Sequence, residues 1–139
     1  MKALTFLKVW FITYIFFFVL DMLTHIVLLG PIFASQLAGI TSEQVNMPVV
    51  MSQTIIISIA TVFLVWKTLD RSKSLAQTAV VGAVIGLLIY GIHEMTSYAS
   101  IPNWPLYITI LHTVVGVIQM AVVAVIAELV IKKFGPTSE

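Results

Sequence analysis

The chain has no cysteine among its 139 residues, which excludes disulfides, thiolate metal sites, iron–sulfur clusters and cysteine nucleophiles. Charge is scarce too. Asp, Glu, Lys and Arg make up 9% of the residues, against roughly 25% in soluble domains, while apolar residues reach 60%. Water is therefore not its main solvent. The seven basic residues form no stripe and the formal net charge is +1, so nothing electrostatic points to nucleic acid, and the expected partner is the lipid bilayer. The sequence contains no internal repeat and no low-complexity segment.

What is present is a set of apolar runs of about 17 to 25 residues, the length that crosses ~30 Å of hydrocarbon at 1.5 Å per residue. The expected fold is all-α, an integral membrane four-helix bundle forming a single transmembrane domain over residues 1–139. Its spans are expected at about 5–30, 48–66, 75–97 and 105–131. The first run is too long for the apolar core of a signal peptide and carries Asp21 and His25, so it reads as a helix. Gly30-Pro31 reads as its C-terminal stop. In the polar stretch that follows, Thr41-Ser42-Glu43-Gln44 has the form of a capping box and predicts a short interfacial helix or turn. Lys67, Asp70, Arg71 and Lys73 make a charged loop, Ile101 to Pro105 a tight turn, and Gly135-Pro136 closes the last helix after Lys132-Lys133.

All basic residues fall at the N-terminus (Lys2, Lys8), in the second loop (Lys67, Arg71, Lys73) and near the C-terminus (Lys132, Lys133). This asymmetry predicts that both termini are cytoplasmic in a multi-pass protein of the cell (inner) membrane. Trp10 and Trp66 toward one face, and Trp104 with Tyr107 toward the other, supply interfacial aromatic belts. Gly82 and Gly86, with Gly116 and the alanines at 121, 124 and 127, permit close helix approach; they read as setting interhelix distance rather than as a dimer motif. A homo-oligomer or a place in a larger membrane complex both remain compatible with the sequence.

The residues with chemistry are Asp21, His25, His93, Glu94 and His112, all inside expected spans. A charge at the bilayer centre costs about 2.5–3.5 kcal/mol on insertion scales, so such groups normally face the bundle interior and mark a site. Counting rise per residue puts Asp21 ~20 Å and His25 ~25 Å above Lys8, His93 and Glu94 ~27 Å above Leu75, and His112 ~10 Å below Pro105. They share one level in the outer part of the membrane, as does Gln53 on the second span. Stripes agree with this: Asp21 and His25 are i, i+4; Tyr90, His93, Glu94 and Ser97 are i, i+3, i+4, i+7; Thr109, His112, Gly116 and Gln119 line one face. Glu128, one turn before Lys132, reads as half of a snorkelling surface ion pair and is left outside the site.

Three functions compete. In the first, His25, His93 and His112 bind Zn, Fe, Cu or Mn, with Asp21 or Glu94 as a further ligand or as the acceptor that orients an imidazole. In the second, two histidines ligate a haem across a porphyrin-sized gap. In the third, the cluster is a proton relay or binding pocket of a small-solute transporter or intramembrane enzyme. The leading expectation is the metal or redox cofactor, held by Asp21, His25, Tyr90, His93, Glu94 and His112. An accessory subunit whose polar residues only tie helices together is the bland alternative, because a lone intramembrane histidine usually serves as interhelix glue.

The run Gly86-Leu87-Leu88-Ile89-Tyr90, then Glu94-Met95-Thr96-Ser97, then Asn103-Trp104-Pro105, resembles a bacterial family of four-helix membrane proteins known as a domain of unknown function. Asp21 and the Phe33, Gln36, Leu37 segment are similar as well. The resemblance implies four helices and a polar level at constant depth. It also implies an exchange of chemistry: the family commonly has an aromatic at the position of His93, an acid at that of His112 and no histidine at that of His25.

Overall fold

A computed structural model describes residues 2–41, 46–68 and 74–135. Apolar chain in lipid must satisfy its backbone N–H and C=O groups within each segment, and four long helices do so here. They run Ala3–Leu28, Met47–Thr68, Leu75–Ser100 and Leu106–Phe134, with 26, 22, 26 and 29 residues. At 1.5 Å per residue even the shortest is ~33 Å long, enough to cross the hydrocarbon layer. The described residues contain no strand. The chain is thus an all-α membrane protein with four spanning helices.

The fourth helix touches all three others, and the third packs chiefly against it. Glycine makes that last contact possible. A Cβ at Gly82 would overlap the carbonyl oxygen of Met120 and the side chain of Ala124, and one at Gly86 would overlap the backbone of Gly116 and Val117. The small residues therefore set the spacing of two helices of the same chain. The first helix lies against the second, where Trp10 Nε1 donates to Ser58 Oγ at 2.9 Å. Lys8 sits over the ring of Phe134, 4.4 Å from its centroid, so the beginning of the first helix and the end of the fourth share one end of the bundle. An apolar cluster of Val9, Val62, Val65, Ala124, Ala127 and Val130 is buried at that end.

Several local expectations change. The first span does end near Gly30-Pro31, but the pair starts a further short helix, Gly30–Gln36, with Pro31 in its first turn. Proline lacks only an N–H that a first turn leaves unpaired, so it initiates here instead of terminating. Thr41 lies in a bend, and the rest of the capping box, 42–45, is outside the described residues, as are Asp70, Arg71, Lys73 and Pro136. A reciprocal cap forms instead at the third helix, where the Ser74 N–H donates to Gln77 Oε1 at 3.1 Å. The third helix continues to Ser100 before the 101–105 turn, where Asn103 takes the left-handed conformation (φ 63°) that its side chain tolerates better than most.

Two helices widen near the end opposite the termini. Leu23–Leu28 in the first and Leu87–Gly91 in the third are π-helical turns. Such turns occur often at functional sites, and these two carry His25 and Tyr90.

Candidate functional site

At that widened end, four side chains form a continuous chain of hydrogen bonds and close polar contacts across three helices. His25 Nδ1 faces Asp21, 3.0 Å from its backbone oxygen and 3.1 Å from Oδ1. His25 Nε2 meets His112 Nε2 at 2.8 Å. His112 Nδ1 then meets Glu94 Oε1 at 2.6 Å. Beyond each carboxylate stand further donors. Gln119 Nε2 donates to Asp21 Oδ1 at 2.9 Å, with the Tyr90 hydroxyl at 3.5 Å from the same oxygen, and Trp104 Nε1 donates to Glu94 Oε2 at 3.2 Å. Both acids are buried, Asp21 to 6% and Glu94 to 1% exposure, and the two imidazoles are half-buried.

Local chain geometry explains the aim of each group. On the third helix Gly86, Tyr90 and Glu94 all face inward, a spacing of four that would drift by ~80° over eight residues of regular helix. The widened turn at Leu87–Gly91 absorbs the drift and keeps Glu94 on the inner face. Tyr90 lies flat over Gly116, where a Cβ would collide with its ring, which brings its hydroxyl toward Asp21. The ring also stacks on His25 at a 17° interplanar angle, and Phe33 from the short helix caps His112 edge-on at 5.2 Å between centroids.

Proton placement follows from the partners. The acceptors facing both Nδ1 atoms are oxygens that carry no hydrogen when the carboxylates are ionised, so each Nδ1 bears a proton. The Nε2 to Nε2 contact then needs one more, which makes one of the two rings an imidazolium. With both carboxylates ionised and one proton in each of the three gaps, the chain would carry two negative charges and one positive charge. It is a carboxylate–imidazole–imidazole–carboxylate relay in form, with both ends anchored by neutral donors.

Beside it lies a cavity of about 380 Å³ whose wall is mostly apolar, built from residues such as Phe17, Phe33 and Ile57. Asp21, His25, Tyr90 and His112 form its polar corner, and Gln53, Thr54 and His93 border it as well.

Of the six residues expected at the site, Asp21, His25, Tyr90, Glu94 and His112 meet. His93 does not join them. It is exposed, because the register that turns Glu94 inward rotates its neighbour by one residue toward the outside. The expected three-histidine cluster is thereby corrected to a pair. Among the described residues no three His, Asp or Glu side chains are disposed to hold a metal ion, and the two imidazoles bond each other directly instead of facing across a porphyrin-sized gap. Gln119 and Trp104 enter the site unexpectedly. Gln119 shares the inner stripe of His112, a legible signal, whereas Trp104 reads from sequence as an interfacial anchor. Glu128 is also corrected: its side chain is fully buried, and only its partner Lys132, 2.5 Å away, reaches the surface.

No curated protein and no solved structure matches the chain. A family model does match, over residues 6–129, a stretch that contains all four spanning helices nearly complete and every member of the hydrogen-bonded chain. On that match, the protein with this chain of carboxylates and imidazoles belongs to the family DUF2177, described as predicted membrane proteins.

Proposed function

We propose that the protein is a proton-handling membrane protein, a small-solute transporter or intramembrane enzyme, that binds its ligand in the cavity beside the Asp21–His25–His112–Glu94 chain. The observation that carries this reading is the 2.8 Å contact between two imidazole nitrogens whose other nitrogens both face carboxylates. A proton added at one end of such a chain shifts the protons in each gap and is released at the other, without any heavy atom moving far. The cavity supplies the second half of the argument, because a largely apolar pocket with a few convergent polar groups is the usual form of a ligand site. The asymmetry of Lys and Arg supports an orientation with both termini in the cytoplasm, which sets the relay toward the extracytoplasmic face of a cell membrane.

The test is nitrogen NMR of histidine-labelled protein in lipid nanodiscs. Both Nδ1 atoms protonated, with one proton shared between the two Nε2 atoms, is the expected pattern; two neutral rings without that shared proton would refute the relay. Elemental analysis and an optical spectrum of the same sample provide an independent check. A stoichiometric transition metal or a haem bound at His25 and His112 would replace the proton between them, and the proposal would fall.

A further inference from the structure

The cavity's polar corner has an unbalanced charge. With one proton per gap, the chain from Asp21 to Glu94 carries a net charge of −1, and among the described residues no Lys or Arg lines the cavity to offset it, while His93 borders the cavity as an exposed side chain. An uncompensated negative charge in a low-dielectric bundle is costly, so one more positive charge belongs at this site. The oxygens show where. Glu94 uses both, Oε1 toward His112 and Oε2 toward Trp104. Asp21 gathers His25, Gln119 and Tyr90 on Oδ1 alone, and among the described residues its Oδ2 accepts no hydrogen bond. Asp21 lines the cavity.

We infer that the cavity is a cation–proton exchange site for small lipophilic ammonium compounds, with Asp21 as the group that alternates between the proton and the ammonium. This rests on the relay reading. Without ligand, Asp21 Oδ2 holds the fourth proton and the chain is neutral. On binding, the R–NH3+ group takes that place: the O–H bond of Asp21 breaks, its proton leaves to solvent, and the carboxylate pairs with the ammonium, so that one positive charge enters for each one released. The apolar wall accepts the hydrocarbon part, and the rings of Phe17 and Phe33 belong to that wall, where an aromatic ring suits a cation next to the carboxylate. The groups facing Asp21 are its helix neighbour His25, Tyr90 from the third helix, and His112 with Gln119 from the fourth; the third helix also brings the exposed, titratable His93 to the cavity, and the second helix brings Gln53 and Thr54, neither of which titrates.

The experiment is calorimetric titration of the full chain in nanodiscs with 2-phenylethylamine, 2-phenylethanol and phenylacetate, each in two buffers of different ionisation enthalpy. The amine is expected to bind at least about tenfold more tightly than the alcohol, the scale of a charge-assisted hydrogen bond, and to release close to one proton per molecule. Phenylacetate should bind most weakly. Asp21→Asn should abolish the proton release and remove the preference for the amine over the alcohol. Equal binding of amine and alcohol, preference for phenylacetate, or amine binding without proton release in the unaltered protein would overturn the inference without recourse to any variant. Should the NMR signature of the shared proton hold while the amine fails, only this inference falls; should that signature be missing, the charge count fails with the relay.

Discussion

The two ends of the bundle are made from the same four helices and yet solve opposite problems. At the end that carries the termini, valines and alanines close the interior, with Val9, Val62, Val65, Ala124 and Ala127 wholly buried. At the other end two helices widen into π turns, a cavity opens, and two acids and two imidazoles occupy the interior. Each end also contains a buried acid, but in different company. Glu128 has an intrahelical lysine that carries its charge out toward the surface, whereas Asp21 and Glu94 are held by neutral donors and imidazoles from other helices. The difference teaches that burial of a carboxylate is not what marks a site here. Its coupling to groups on other helices is.

The largest effect is expected where the comparison depends on helix spacing. Gly82→Leu places a branched side chain against the backbone of the fourth helix, and should destabilise the fold by ~3 kcal/mol, the upper part of the range for overpacking. Reversible unfolding in mixed micelles measures it, and a cost under ~1 kcal/mol would mean that the third and fourth helices are not held by this contact. Next comes Glu94→Leu, which leaves the His112 Nδ1–H and the Trp104 N–H without their acceptor. Removing one partner of a buried charged pair costs about 3 kcal/mol at the low end of measured values, less here because the imidazole can shed its charge. The same variant should erase the shared-proton signal of the histidine pair in NMR.

How much of this was legible in the sequence follows from the periods involved. Span number, and the meeting of Asp21, His25, Tyr90, Glu94 and His112, follow from hydropathy and from rise per residue, both of which survive small distortions. The facing of His93 does not. Its exclusion depends on a π turn that shifts the register by about one residue, and nothing in Leu87–Gly91 announces that turn by composition. Gly30-Pro31 misleads for a related reason, since a break in one helix and the start of the next use the same residues. Trp104 fits an aromatic belt equally well whether or not its indole reaches an acid, and only the 101–105 turn, with Asn103 at positive φ, brings it back onto Glu94.

Two smaller effects sharpen the contrast between the ends. Trp104→Phe keeps an aromatic ring and removes one donor from Glu94, an expected loss of about 1.5 kcal/mol, the low end for a hydrogen bond to a charged group because Trp104 itself is half-buried. Its readout is unfolding free energy, with a shift in the His112 Nδ1 resonance as the local signature. The smallest effect is expected for Glu128→Gln at the opposite end. The ammonium of Lys132 approaches one oxygen at 2.5 Å but off the line of a hydrogen bond, and neither Glu128 oxygen accepts one among the described residues. The pair therefore gains Coulomb energy while Glu128 bears the whole desolvation cost, because Lys132 stays nearly half exposed. Those two contributions commonly cancel for buried pairs, and glutamine keeps the volume while shedding the charge, so stability should change by less than ~1 kcal/mol in either direction. The variant should also leave the histidine NMR signals untouched, since among the described residues no hydrogen bond links Glu128 to the Asp21–His25–His112–Glu94 chain. A loss as large as that of Glu94→Leu would mean that Glu128 is coupled across helices after all, and the two ends would then be variants of one design rather than opposites.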